Sequence, residues 1–527
     1  MKIVLISTYE LGRQPFGVVS PAAWLRRRRH EVACFDLTRQ ELDQRVICAA
    51  ALIAIYLPMH TATRLAAKLI PSLREQNPAA HVCCYGLYAP MNAEYLRSLG
   101  VGTIFGGEFE SGLVGLAGRL GGTDRGSDEI FPQGLKPTDR EIRMSDLKVR
   151  PLEVPQNSGD SALRYRDSGA QVEPAISLER LNFEVPDRAG LPGLEKYAHL
   201  IIPGDGYRVV GSTEASRGCK HLCRHCPIVP VYNGVFRIVS RDVVMADVRQ
   251  QVAAGAQHIS FGDPDFFNGI RHAMELVAAL HAELPGVTYD ATIKIEHLRK
   301  YEQHLTTLRD TGCLFVISAV ESVDDGILRR LDKGHTREDF LHVARTFRSL
   351  GMTLHPTFVA FTPWTTLRGY LELLEVLAAE DLVENVAPIQ LGIRLLIPAG
   401  SRLLELEEVR REVGTFDAES LVYPWKNADP RVDELSDMVQ QIAADADRKK
   451  ESRSAAFARI WKAAYAVAGI AEAGLTLADR AGAAVPFLSE PWYCCAEPTT
   501  EQLVSIGCVA KKSVKVASVG VGADGFV

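Results

Sequence analysis

The sequence predicts an α/β protein: a doubly wound (Rossmann-like) domain in front, a partial or full β/α barrel behind it, and a helical C-terminal region ending in a cysteine-bearing tail. Three observations predict this order. Short β-rich runs alternate with amphipathic helical stretches over residues 1–120 and again over 206–405. Between them, residues 121–205 are rich in Gly, Pro, Asp, Ser and Arg, and no period persists there. Beyond residue 405 only the helical period is left. Repeated β-α-β units imply a parallel sheet flanked by helices, with ligands beyond the carboxyl ends of its strands.

In the front domain, residues 3–7, 32–35, 50–57 and 81–86 have strand character, and 18–29 and 61–76 have helical spacing. Residues 121–205 read as a linker, partly ordered by short elements such as 178–183. Strand runs return at 209–211, 258–262, 289–295, 313–320, 353–361 and 389–397, with helices such as 241–255 and 337–350 between them. Six such units suit a β/α barrel whose site lies at the strand carboxyl ends. In the helical region 406–480, Leu435, Met438, Val439 and Ile442 share one face, as do Phe457, Ile460, Trp461 and Ala464. Residues 481–527 form the tail.

Composition narrows the function. The 527 residues correspond to about three domains, and 47% apolar with 24% charged is an ordinary globular balance. A net charge of −6 argues against nucleic acid as a partner, and Arg26 to Arg29 read as a solvated helix end. The longest apolar run, 46–57, is far short of the ~20 residues that span a bilayer. With no signal-peptide pattern at the start, the expectation is a cytoplasmic protein with no membrane partner. Its 11 cysteines are then no disulfide framework. Cys34, Cys48, Cys83, Cys84 and Cys313 sit in or beside apolar runs and read as small hydrophobes. Two groups stand apart: Cys219, Cys223 and Cys226, and Cys494, Cys495 and Cys508.

The first group, Cys-x3-Cys-x2-Cys, lies in a loop directly after a strand. Three thiolates so spaced can hold one face of an iron–sulfur cluster and leave one iron open. A structural zinc site is the competing reading, with His221 or His225 as fourth ligand. The spacing after the first barrel strand resembles the radical SAM superfamily. That resemblance implies a 4Fe-4S cluster on Cys219, Cys223 and Cys226 whose open iron chelates S-adenosylmethionine (SAM). His225 stands where the family usually carries an aromatic residue. The resemblance further implies that Gly262 with Asp263 or Asp265 meets the SAM amine, and that Ser318 and Glu321 lie near its ribose and carboxylate. Lys294 and Arg394 are weaker candidates.

The front domain resembles the cobalamin-binding domain of cobalamin-dependent radical SAM enzymes, on Gly17 to Trp24, His30 to Val32, Ala54 to Thr61, and Gly106-Gly107-Glu108-Phe109-Glu110. The resemblance puts Gly107 and Glu108 at the cofactor. No Asp-x-His-x-x-Gly is present, so cobalamin is expected without a histidine axial ligand. The pentad Cys494-Cys495-Ala496-Glu497-Pro498 resembles the tail of the CUAEP/CCAEP-tail radical SAM (seleno)proteins. Some of those carry selenocysteine where this chain has Cys495, which implies chemistry or soft-element binding at Cys494 and Cys495. The expectation is therefore a radical SAM enzyme that transfers a methyl or aminocarboxypropyl group to a small-molecule or thiophilic substrate held by the tail. An electron donor such as flavodoxin or ferredoxin would serve it. The alternative is a non-catalytic zinc- or metalloid-binding sensor using both cysteine groups.

Overall fold

The computed structural model describes residues 1–122, 175–472, 474 and 485–490. The first sheet has six strands: β1 (Lys2–Ser7), β2 (Glu31–Asp36), β3 (Leu52–Tyr56), β4 (His81–Tyr85), β5 (Thr103–Gly107) and β6 (Ala175–Ser177). Their order is β2-β1-β3-β4-β5-β6, parallel throughout. Alternation along the strands explains why both faces are covered. Val4, Ile6, Ile53, Ile55, Val82, Cys84 and Ile104 feed one core. Ile3, Leu5, Leu52, Ala54, Cys83, Tyr85 and Phe105 feed the other. Successive side chains of a strand point to opposite faces, so a sheet apolar at every position is buried on both. The sheet therefore carries helix His60–Gln76 and the helix pair Phe16–Arg27 and Glu110–Leu120. Of the cysteines read as small hydrophobes, Cys48 is exposed and the rest are buried.

The second sheet has seven strands, in the order β14-β13-β12-β11-β8-β7-β15. These are β7 (His199–Ile202), β8 (Gly206–Thr213), β11 (His258–Phe261), β12 (Thr288–Thr292), β13 (Cys313–Glu321), β14 (Thr353–Phe358) and β15 (Phe487–Leu488). β8 and β11 to β14 run parallel, and β7 and β15 add antiparallel at the edge. A separate ribbon pairs β9 (Ser216–Gly218) with β10 (Phe236–Ile238) and brackets the cysteine triplet. The barrel is partial. The expected strand over 389–397 does not form: Pro388–Gly392 winds into a 3-10 turn, and one bridge, Phe361 to Arg394, marks where a further strand would pair. The proline and Gly392 break the extended run.

The linker reading of 121–205 is corrected over its described part. Ala175–Ser177 is the sixth strand of the first sheet, and His199–Ile202 already belongs to the second. No regular element covers 178–183. Between the two strands, Arg188 is pinned to Asp247, Gln14 and the Ser212 carbonyl. This segment thus fastens one domain to the other. Helices Pro430–Lys449 and Arg453–Ala468 pack on the second core. Phe457, Ile460, Trp461 and Ala464 are buried as the spacing predicts, whereas Met438 faces outward. No helix among the described residues is long and apolar enough to cross a membrane.

Gly107 closes β5 at φ +69, and an added Cβ would lie 2.1 Å from the Ser177 carbonyl oxygen. Gly107→Ala should therefore strain the β5–β6 junction and cost about 1–3 kcal/mol. Chemical denaturation would show this as a lower midpoint at unchanged slope; a wild-type midpoint would refute it.

Candidate active site

The cysteine loop is built by its two ends. Gly218, at φ +73, turns the chain out of β9 where a Cβ would strike the Tyr232 ring and the Val235 carbonyl. Cys223 and Cys226 then lie in the turn that enters helix Val229–Tyr232, with the Cys226 N–H donating to the Cys223 carbonyl. All three cysteines line a single cavity between the domains, with about 1680 Å³ of empty space counting its open mouth. Barrel residues Gly262, Asp265, Lys294, Glu321 and Lys333 make one wall. Leu11, Phe16, Tyr56, Met59, Leu87 and Phe109, at the carboxyl ends of the first sheet, make the other. Both sheets present the ends at which parallel α/β folds bind ligands.

Two buried carboxylates face this cavity, each held ionised. Glu321 ends β13 at φ +69, beside a register shift against β14. Such a bulge re-aims a side chain. Its Oε1 takes the His225 Nε2 at 3.0 Å and the Lys333 Nζ at 3.3 Å. Burial works against its charge, yet Lys333 and His225 hold it down at about 2. Asp265 caps the turn after β11, accepting from the Phe267 N–H. Its Oδ2 lies 2.6 Å from His297 Nδ1 and 3.4 Å from His221 Nε2. There too burial is outweighed by the two histidines, and the group sits at about 2. His221 continues to Lys294, 3.2 Å from its Nδ1, and Lys294 to Glu296.

A third cluster joins the domains. Arg217, in β9 two residues before Cys219, is 6% exposed. It meets Glu110 at 2.7 Å, Glu214 at 2.8 Å and Glu108 at 3.3 Å. Its guanidinium also lies over the rings of Phe16, Phe109 and Phe183. Burial opposes its charge, but the three glutamates outweigh that and hold it protonated. Burial lifts Glu108 to about 7 even beside Arg217.

The expected site residues therefore divide. Cys219, Cys223, Cys226, His225, Gly262, Asp265, Glu321 and Gly107 line the cavity, as does Lys294. Asp263 does not: its carboxylate accepts from the Ala215 N–H and the Ser216 hydroxyl and braces the start of β9. Glu108 is likewise withdrawn, bound to Arg217 and the Tyr232 hydroxyl. Ser318 is buried away from the cavity, and Arg394 pairs with Asp433 while stacking on Trp425. Cys494, Cys495 and Cys508 lie outside the described residues. Sequence reasoning missed Arg217, Lys333 and His297. Arg217 and Lys333 each precede a glycine turn, and of their partners only Glu214, three residues before Arg217, is local in sequence.

The donor geometry bears on zinc. Among the described residues, the one set of three ligating side chains with donor atoms all within 4.8 Å is Cys219, His221 and Asp265. The three thiols are not gathered that tightly, as one tetrahedral ion with bonds of about 2.3 Å to sulfur would require. A four-iron cluster spreads its ligands wider, and the three thiols that would hold one all face the same cavity.

Arg217→Met should leave buried carboxylates unpaired and cost about 3–5 kcal/mol in unfolding free energy. The folded Glu108 binds its proton more tightly than its ordinary value of 4.5. Stability from that group is thus present at low pH and declines as pH rises toward about 7. The variant's loss should therefore be larger at pH 7.5 than at pH 5, read by denaturant midpoints; a pH-independent loss would refute it.

Comparison with known proteins agrees with this geometry. Residues 213–365 match the Radical SAM superfamily. The chain is 27% identical over 226 residues to the ribosomal protein uS12 methylthiotransferase RimO of Syntrophotalea carbinolica, covering 40% of this chain and 46% of that one. It thus spans less than half the length of that curated relative. The fold is shared with the cobalamin-dependent SAM radical enzyme OxsB with aqua-cobalamin bound, at TM-score 0.59 and 14% identity over 84% of this chain and 67% of that one. It is also shared with the radical SAM methyltransferase TsrM from Kitasatospora setae, bound to tryptophan and a SAM analogue, at TM-score 0.50 and 18% identity over 72% of each chain. Residues 213–365, which begin six residues before the first cysteine of the triplet, therefore carry a match to the Radical SAM superfamily, and the cofactors that such a match implies are a 4Fe-4S cluster and SAM.

Proposed function

We propose that this chain is a cobalamin-dependent radical SAM transferase whose reaction takes place in the cavity between its two domains. The observation that carries the reading is that one cavity is walled by the cysteine triplet and by the carboxyl ends of the first sheet. Cys219, Cys223 and Cys226 would hold the cluster. The cluster supplies an electron for cleaving SAM, and cobalamin supplies a carrier for a methyl group.

The remaining work falls to the chain. Asp265 and Glu321 stay ionised and offer anionic partners to the ammonium group of an amino-acid moiety. Lys294 and Lys333 offer cations to its carboxylate. His225 is fixed by Glu321 through one ring nitrogen and lies on the cavity wall beside two of the cysteines. On the opposite wall, Tyr56, Met59, Leu87 and Phe109 form an apolar floor suited to a broad flat ligand. No histidine of the first domain lines the cavity among the described residues. His60 is buried, and its Nε2 lies 2.6 Å from the Ser420 carbonyl. The floor therefore supports cobalamin bound without a histidine ligand.

A role for Cys494 and Cys495 in holding a thiophilic or small-molecule acceptor is part of this proposal, as is the CUAEP/CCAEP-tail likeness. What supports it is the tail's point of departure. β15 pairs with β7, the His355 ring contacts the Pro486 carbonyl at 2.7 Å, and Glu490 reaches Arg39 while packing on Gly12. Gly12 lies between Leu11 and Arg13, both on the cavity wall. Cys494 is four positions beyond Glu490 in the sequence, at most about 14 Å of chain.

Anaerobic reconstitution with SAM and dithionite tests the reading. Cys219→Ala, Cys223→Ala and Cys226→Ala should each lose cluster iron and sulfide and reduce SAM cleavage at least 100-fold. The Cys494→Ala/Cys495→Ala variant should keep cluster and cleavage while losing acceptor modification. Stoichiometric zinc without sulfide in the wild-type protein would overturn the enzyme reading in favour of the sensor.

A further inference from the structure

The first domain's wall of the cavity carries two charged side chains, Glu10 and Arg13. They are the ends of one tight turn that follows β1. The Arg13 N–H donates to the Glu10 carbonyl at 2.9 Å, and both residues between them are left-handed, Leu11 at φ +51 and Gly12 at φ +67. That is the pattern of a type I′ turn, in which Gly, Asn and Asp are the usual central residues. A buried leucine there is strained backbone, of the kind kept where the surroundings impose it.

The turn sets two unlike groups side by side. Glu10 Oε2 is buried and finds no hydrogen-bond partner. Glu214, Arg13, Asp36 and Arg188 face this carboxyl, and the phenols of Tyr56 and Tyr85 feel its charge. Burial first and Glu214 second push it well above the usual carboxylate range, against Arg13 and Arg188. Glu10 therefore keeps its proton near neutral pH. Arg13 reaches toward the barrel: its Nη1 lies 3.6 Å from the point where a Cβ on Gly262 would stand. Of the carboxyl groups that act on it, Glu214 is bound to Arg217 at 2.8 Å and Glu10 is neutral. The Arg13 charge is thus left to face the cavity.

We propose that this turn is an oxyanion subsite, with Arg13 and Glu10 as specificity-determining residues, and that the acceptor is an organic acid. Naming the acceptor's class in this way rests on the functional reading above. The guanidinium fork matches two oxygens of a carboxylate or a similar group. The protonated Glu10 carboxyl, whose buried oxygen otherwise lacks a partner, donates to the same anion. Lys294 and Lys333 pair with Glu296 and Glu321 on the barrel wall, so the turn is a separate anchor. It also adjoins the start of the tail, because Glu490 packs on Gly12.

The test titrates difluoroacetate, a carboxylate that stays ionised from pH 6 to pH 9, into protein reconstituted with cluster, cobalamin and SAM, and follows the fluorine resonance. Arg13→Met should weaken binding at least tenfold. Wild-type binding should weaken at least fivefold from pH 6 to pH 9 as Glu10 ionises. Glu10→Gln keeps a donor but cannot ionise, so its binding should be flat over that range. Unchanged affinity in Arg13→Met, or a pH dependence in Glu10→Gln equal to that of the wild type, would overturn the proposal. Cobalamin carries an oxyanion of its own, a phosphodiester that cobinamide lacks. Arg13→Met should bind both as the wild type does; weaker cobalamin binding with cobinamide unaffected would assign the subsite to the cofactor and overturn the acceptor's class. The titration is repeated on protein free of cluster and cobalamin. Arg13-dependent binding there, in a protein that takes up neither cofactor, would support the subsite and defeat the functional reading instead.

Discussion

The arrangement depends on one buried cation. Arg217 leaves β9 two residues before the first cysteine of the triplet and ends among Glu108, Glu110 and Glu214, sandwiched by phenyl rings. Glu108 and Glu110 belong to the first domain, so the same side chain that anchors the cysteine loop sets its distance from the first sheet. Burying one guanidinium with three carboxylates is costly unless every partner stays in place. That cost makes the contact a register device: a shift of either domain would strand charge without water. Glu108 accepts from the Tyr232 hydroxyl as well, and Tyr232 closes the helix that follows the loop. Both ends of the cysteine loop are thereby referred to one point.

From that point the cavity's asymmetry follows. The barrel wall is polar and charged, with carboxylates held ionised by histidine and lysine partners. The facing wall is mostly aromatic and aliphatic, with Glu10 and Arg13 as its charged members. Charges in a partly enclosed space interact more strongly than in water, so the polar wall suits a zwitterionic ligand. The apolar wall suits a large ring system. The two are brought together by contacts outside either wall: Arg188 bridges Asp247 of the barrel and Gln14 of the first domain.

Much of this was readable in the chain, and the exceptions have physical reasons. Short continuous apolar runs located the strands because both faces of the first sheet are buried, and the cysteine spacing is a local property. Strand β6 escaped because three residues carry no period, and 389–397 misled because the 3-10 turn that starts at Pro388, just before it, continues through Gly392. Asp263 and Asp265 are alike in composition, yet one braces the β9 backbone and the other faces the cavity. Glu108 is turned inward by the left-handed Gly107 before it. Arg217 could not be paired from sequence, since its partners Glu108 and Glu110 lie more than a hundred residues away.

The central claim is a cavity that opposes a cluster-bearing loop to a floor for a flat ligand carrying no protein imidazole. Titration of the reconstituted protein with cobalamin, followed by electron paramagnetic resonance of the cobalt after one-electron reduction, tests it most directly. The account predicts one equivalent bound, with a cobalt signal that is the same whether or not the protein's histidines are labelled with nitrogen-15. A nitrogen splitting that changes with that labelling, or no binding at all, would contradict it.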